Sequence, residues 1–169
     1  LEQSGTYSIV IKDLGLSDTG DYNLTLIKLP GTLTYAGDLD GGVIAPGETI
    51  TGRQINTDSD RDVFQFNGNA GDRVLISAVT TGGALDTLIS LYPPAGGSRE
   101  VLGFSGVDSV DHQLEQSGTY SIVIEDLGLN EVGEYNLTYN KTPDTVPPHV
   151  DGLIPGFNIL TTEGPVRCS

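Results

Sequence analysis

One cysteine, Cys168, stands second from the end of a 169-residue chain. Alone it cannot close an internal disulfide, so a disulfide-stapled scaffold and a cysteine-ligated zinc site are both excluded. Basic residues are scarce as well: 8 Lys and Arg face 23 Asp and Glu, a formal charge of −15. Such a charge repels polyanions, which argues against a nucleic-acid partner and against attraction to an anionic membrane surface. Apolar residues make up 37% of the chain without a run of about 18, so no membrane insertion is expected. No signal peptide is recognisable, and the opening Leu1-Glu2-Gln3 is expected to begin a mature piece or a fragment. Sustained helical periodicity is missing too, and 23 Gly with 9 Pro disfavour long helices.

What is present is a repeat. Leu1 to Thr32 matches Leu114 to Thr145 at 23 of 32 positions, at an offset of 113 residues. That period is the size of a whole β domain rather than of a solenoid turn. The expected organisation is therefore residues 1–32 as the terminal hairpin of a preceding repeat, 33–145 as a complete sandwich, and 146–169 as a linker or the start of a following β module. A faint echo of Asp38 to Gly47 in Asp151 to Gly156 favours the second of these for the tail. The alternative is one duplicated hairpin followed by an unrelated linker.

Within each copy apolar and polar residues alternate. Tyr120, Ile122 and Ile124 share one strand face, and Tyr7, Ile9 and Ile11 do so in the first copy. Lys12 replaces Glu125, a charge reversal that a solvated, outward position tolerates. Tyr22 to Leu26 and Tyr135 to Tyr139 supply the second strand, and a long turn rich in Gly and acidic residues separates the two, so each copy reads as a hairpin. Further strands are expected at Glu48 to Gln54, Asp62 to Phe66, Arg73 to Val79, Thr87 to Tyr92 and Val101 to Ser105. The fold class expected is all-β: an antiparallel two-sheet sandwich of roughly eight strands with a jelly-roll or Greek-key path. Its core would hold Phe64, Phe66, Val74, Ile76, Ile89, Leu91, Tyr120, Ile122, Ile124, Tyr135 and Leu137.

An ordered set of segments then carries a resemblance: Asp60 to Phe66, Ala70-Gly71-Asp72-Arg73-Val74, Leu85 to Tyr92, Ser117 to Ile124 and Gly133 to Thr138. In order and spacing they resemble the bacterial pre-peptidase C-terminal domain, over about residues 38–140. Members of that family are β-sandwiches appended to secreted proteases and other extracellular proteins. Some relatives, such as the collagen-binding domains of clostridial collagenases, bind calcium and fibrous protein. The resemblance implies an exported, non-catalytic module without identifying its ligand. No protease domain accompanies it, and Asp144 to His149 looks like the Pro-rich junction before another extracellular module.

Neither His112 nor His149 sits in a catalytic motif, and Ser105 lacks the G-x-S-x-G elbow, so no active site is expected. Calcium is the cofactor that the acidic spacing favours: Asp58, Asp60 and Asp62 stand at alternate positions, with Asp38 and Asp40 nearby. The pattern lacks the Gly and distal Glu of an EF-hand loop, and a solvated acidic turn is the other reading. Asn23 and Asn136 open glycosylation sequons on outward strand positions, and Asn140 opens another.

The leading copy poses a physical problem. An isolated two-stranded hairpin is marginal in water, and this one would expose Tyr7, Ile9, Ile11, Tyr22 and Leu24, which are accordingly the expected interface. Its partners would be copies of the chain or adjacent domains of a longer one. The function expected is a non-catalytic extracellular or cell-surface structural or adhesive repeat, with head-to-tail assembly into a filament by strand or hairpin exchange as its extreme form. The alternative is an accessory domain of a secreted hydrolase or protease, binding a matrix protein or polysaccharide with calcium.

Overall fold

A computed structural model describes residues 4–22, 24, 26–29, 40–96, 98–103 and 109–144. Nine strands fall within them: β1 (Gly41–Val43), β2 (Glu48–Ile55), β3 (Arg61–Gly68), β4 (Arg73–Gly83), β5 (Thr87–Tyr92), β6 (Val101–Gly103), β7 (Ser109–Gln113), β8 (Gly118–Asp126) and β9 (Gly133–Thr142). They form a five-stranded sheet ordered β1-β3-β8-β5-β6 and a four-stranded sheet ordered β2-β9-β4-β7. All pairings are antiparallel except β1 with β3. The architecture is the expected all-β sandwich.

Alternation decides which residues fill the space between the sheets. On β3, Phe64 and Phe66 point inward; on β8, Tyr120, Ile122 and Ile124; on β9, Tyr135, Leu137 and Tyr139; all are buried in one cluster with Ile76, Ile89 and Leu91. Every residue of the expected core lies in that cluster, and Ile44, Ile55, Val110, Leu114 and Tyr139 join it. Phe66 binds it together across the layers, its ring centroid 5.5 Å from Tyr120 and 4.5 Å from Tyr139. The Tyr120 hydroxyl donates to the Gln116 carbonyl at 3.1 Å and accepts the Gln116 N–H at 3.0 Å, so the turn before β8 is tied to the core. Glycine is required where β4 and β9 begin their pairing: a Cβ on Gly133 would lie 2.4 Å from the Gly82 carbonyl oxygen.

The topology corrects the hairpin. β8 lies between β3 and β5 in one sheet, whereas β9 lies between β2 and β4 in the other, so the two never pair. Residues 127–132 arch from sheet to sheet, and the apolar faces of β8 and β9 meet across the core instead of lying side by side. Each copy of the repeat is thus an arch made of two central strands. Two strands went unforeseen. β1 is three residues long and begins with two glycines, and β7 (Ser109–Gln113) offers only Val110 to the core.

Candidate functional site

The leading copy has no strand among its described residues between 4 and 29, whereas the matching residues of the second copy form the central strands β8 and β9. Its turn nevertheless forms. The Asp13 carboxylate accepts the N–H of Ser17 at 2.9 Å and of Asp18 at 3.4 Å, and Leu16 has φ 56°. In the second copy the Asp126 carboxylate accepts the N–H of Asn130 at 3.0 Å and of Glu131 at 3.2 Å, and Leu129 has φ 55°. These Asx-type bonds are local, so four or five residues suffice to build them. The same amides hold the Asp13 carboxyl below its ordinary value.

Burial separates the copies completely. Tyr7, Ile9, Ile11, Tyr22 and Leu24 are between 45% and 67% exposed, and their counterparts Tyr120, Ile122, Ile124, Tyr135 and Leu137 are all at 0%. All five expected interface residues therefore lie on one exposed apolar segment.

The second feature is the outer face of the five-stranded sheet. Val63, Ser121 and Val123 point away from the core by register yet are buried. A cleft of about 570 Å³ opens there, lined by Ile27, Leu29, Arg61, Tyr92, Arg99, Val123 and Glu125. Arg61 and Glu125 face each other across β3 and β8 and form an ion pair, with side chains 25% and 12% exposed. This corrects the reading of the Glu125 position: it faces outward but is not solvated, because it lies in the cleft against Arg61.

The acidic triplet divides. The Asp60 carboxylate accepts the N–H of Asn56 at 2.7 Å and of Arg61 at 2.8 Å, fixing the turn into β3. Asp62 turns into the core, where it accepts the Tyr135 hydroxyl. Burial above all, then the adjacent Asp62 charge, pushes the Tyr135 phenol far above its ordinary value, so it stays a donor. Asp58 is exposed. Nearby, Asp40 bonds Arg53 at 2.9 Å and the Gln54 N–H at 3.0 Å. Among the described residues, no three His, Cys, Asp or Glu side chains gather closely enough to hold a metal ion. His112 pairs with Glu100, 3.2 Å away. Ser105, His149, Asp38 and Cys168 lie outside the described residues, as does Asn23. Asn136 sits half-buried on β9, its Oδ1 accepting the Gly52 N–H at 3.1 Å beside the β2 bulge. No helix among the described residues is long and apolar enough to cross a membrane.

No family model matches the chain, and no curated protein does. Among solved structures, a periplasmic inhibitor of g-type lysozyme from Aeromonas hydrophila is 14% identical with a TM-score of 0.48, over 62% of this chain and 98% of that one. The corresponding inhibitor of Salmonella Typhimurium is 18% identical with a TM-score of 0.43, over 61% and 99%. The pre-peptidase C-terminal domain of a Bacillus anthracis collagenase is 15% identical with a TM-score of 0.48, over 63% of this chain and all of that one. The resemblance read from the sequence thus has a counterpart among the solved structures similar to this chain.

Proposed function

We propose that the chain belongs to a non-catalytic extracellular array of β-sandwich repeats that serves architecture or adhesion. One observation carries this reading: five apolar side chains wholly buried in the second copy of the arch are exposed in the first. An arch of two central strands is useful only inside a sandwich, so the leading copy is the closing piece of a neighbouring unit. Exchange between identical copies requires one of them to release the arch it already holds, which favours adjacent units of one longer chain over a filament of separate copies. The pre-peptidase resemblance supports export, and a charge of −15 suits a protein kept soluble in a crowded exterior. The non-catalytic reading is supported by the use of polar groups as struts: His112 is tied to Glu100, and the Asp60 and Asp126 carboxylates are spent on backbone amides.

The test is deletion of residues 1–26, which keeps Ile27 and Leu29 over the outer sheet face. The sandwich is expected to keep its melting temperature within about 2 °C and to lose binding of hydrophobic dyes. Unfolding of the shortened protein would make the leading copy part of its own globule and overturn the reading.

The cleft holding Tyr92 and Arg99 favours an accessory binding role as a second reading. Retention on an immobilised polysaccharide or fibrous protein that weakens roughly tenfold with Tyr92→Ala would support it.

A further inference from the structure

The leading and trailing arches are nearly the same sequence, yet only one occupies the slot between β3 and β5 and between β2 and β4. Two of the nine differences between residues 1–32 and 114–145 fall at demanding places in the slot. Glu125 faces Arg61 in the cleft, and the first copy has Lys12 there. Tyr139 is buried against Phe66, and the first copy has Leu26. Lys12 in this slot would set two cations side by side on neighbouring strands in a partly buried place, and like charges directly opposite each other are destabilising. Leu26 would leave the space of the Tyr139 ring unfilled. The leading arch therefore fits this sandwich less well than the trailing one.

Resting on the repeat-array reading, we propose that the leading arch closes a second sandwich of the same kind whose residue facing Lys12, at the place held here by Arg61, is acidic. The ion pair, together with the fit beside position 26, then decides which arch each unit accepts. The partner is a sandwich lacking its last two strands, with a carboxylate at that position and a broader side chain than Phe66, or one set closer, beside Leu26.

Two experiments test this. The first reads the sequence of the unit upstream: an Asp or Glu opposite Lys12 is expected. A basic or apolar residue there overturns the charge rule alone, whereas the absence of any upstream sandwich overturns the array reading itself. The second follows amide hydrogen exchange in the full chain. Peptides spanning residue 12 or 125 tell the copies apart, since 1–11 and 114–124 are identical. In the wild-type chain the trailing arch is expected to be protected and the leading arch not. Arg61→Glu is expected to shift the ratio of protection toward the leading arch by roughly tenfold, and adding Glu125→Lys to restore the original pattern. Protection supplied to a second molecule appears as a dimer in sedimentation and supports the proposal equally. A folded Arg61→Glu protein in which the ratio of protection does not move toward the leading arch overturns it. Should Arg61→Glu unfold, Lys12→Glu with Leu26→Tyr in the otherwise unchanged chain must protect the leading arch, and failure to do so overturns it as well.

Discussion

Ile122 and Ile9 occupy the same place in the same hexapeptide, Thr-Tyr-Ser-Ile-Val-Ile, and differ only in what surrounds them. Ile122 is enclosed between two sheets, so Ile122→Ala is expected to cost about 2–5 kcal/mol of unfolding free energy. Ile9→Ala should change it by less than about 0.5 kcal/mol. The tyrosines make a second pair. Tyr135→Phe removes the donor to the buried Asp62 and should cost about 1–3 kcal/mol, whereas Tyr22→Phe should be silent. Chemical denaturation of the four variants checks both pairs, and equal losses in the two copies would contradict the burial described. At this scale the sequence was informative: alternation placed all eleven expected core side chains inside, since facing inward or outward is a property of neighbouring residues alone. The jobs of Asp60 and Asp62 were not legible, because a carboxylate spent on an amide and one spent on a phenol have the same spacing as a pair of metal ligands.

At the scale of elements, the turn and the ladder behave differently. The Asp13 turn forms without any sheet and the strands flanking it do not, so local bonds in this arch are independent of tertiary partners. Asp126 has a further task in the sandwich, accepting the Asp86 N–H at 3.2 Å and so joining the arch to the entry of β5. Asp126→Ala is therefore expected to cost about 1–3 kcal/mol, while Asp13→Ala should leave the unfolding transition in place and erase only the local turn signals in amide spectra. The arch itself was hidden from sequence reading. Period-two patterning states which face a residue takes and is silent about which strand lies alongside, so a hairpin and a sheet-crossing arch look the same. The long turn between Asp126 and Gly133 was the available signal, being larger than tight hairpin loops.

At the scale of the molecule, the crossing from β3 to β4 is held by Asp72. It is buried, accepts the Asn69 N–H at 3.0 Å and pairs with Lys141 of β9 at 3.1 Å. Burial acts to raise its pKa, but the Asn69 amide, the Lys141 ammonium and the Asp144 amide outweigh it and the net shift is downward from 3.8. A carboxyl depressed in the folded state contributes stability that is complete above its unfolded value and fades as pH falls through the folded one. Stability is thus expected to drop on acidification below about pH 4, and Asp72→Asn to flatten that limb while lowering stability at neutral pH. Urea titrations at pH 7 and pH 3 separate the two, and an unchanged acid limb in the variant would assign it to other carboxylates. The order of the strands carries one more consequence. The two that complete both layers are the last of the described strands to be made, Gly118–Asp126 and Gly133–Thr142. While a chain emerges from a ribosome, the seven earlier described strands wait with a gap in each layer. On the proposal made above, the upstream copy reaches that gap first, and faithful assembly requires the gap to refuse it.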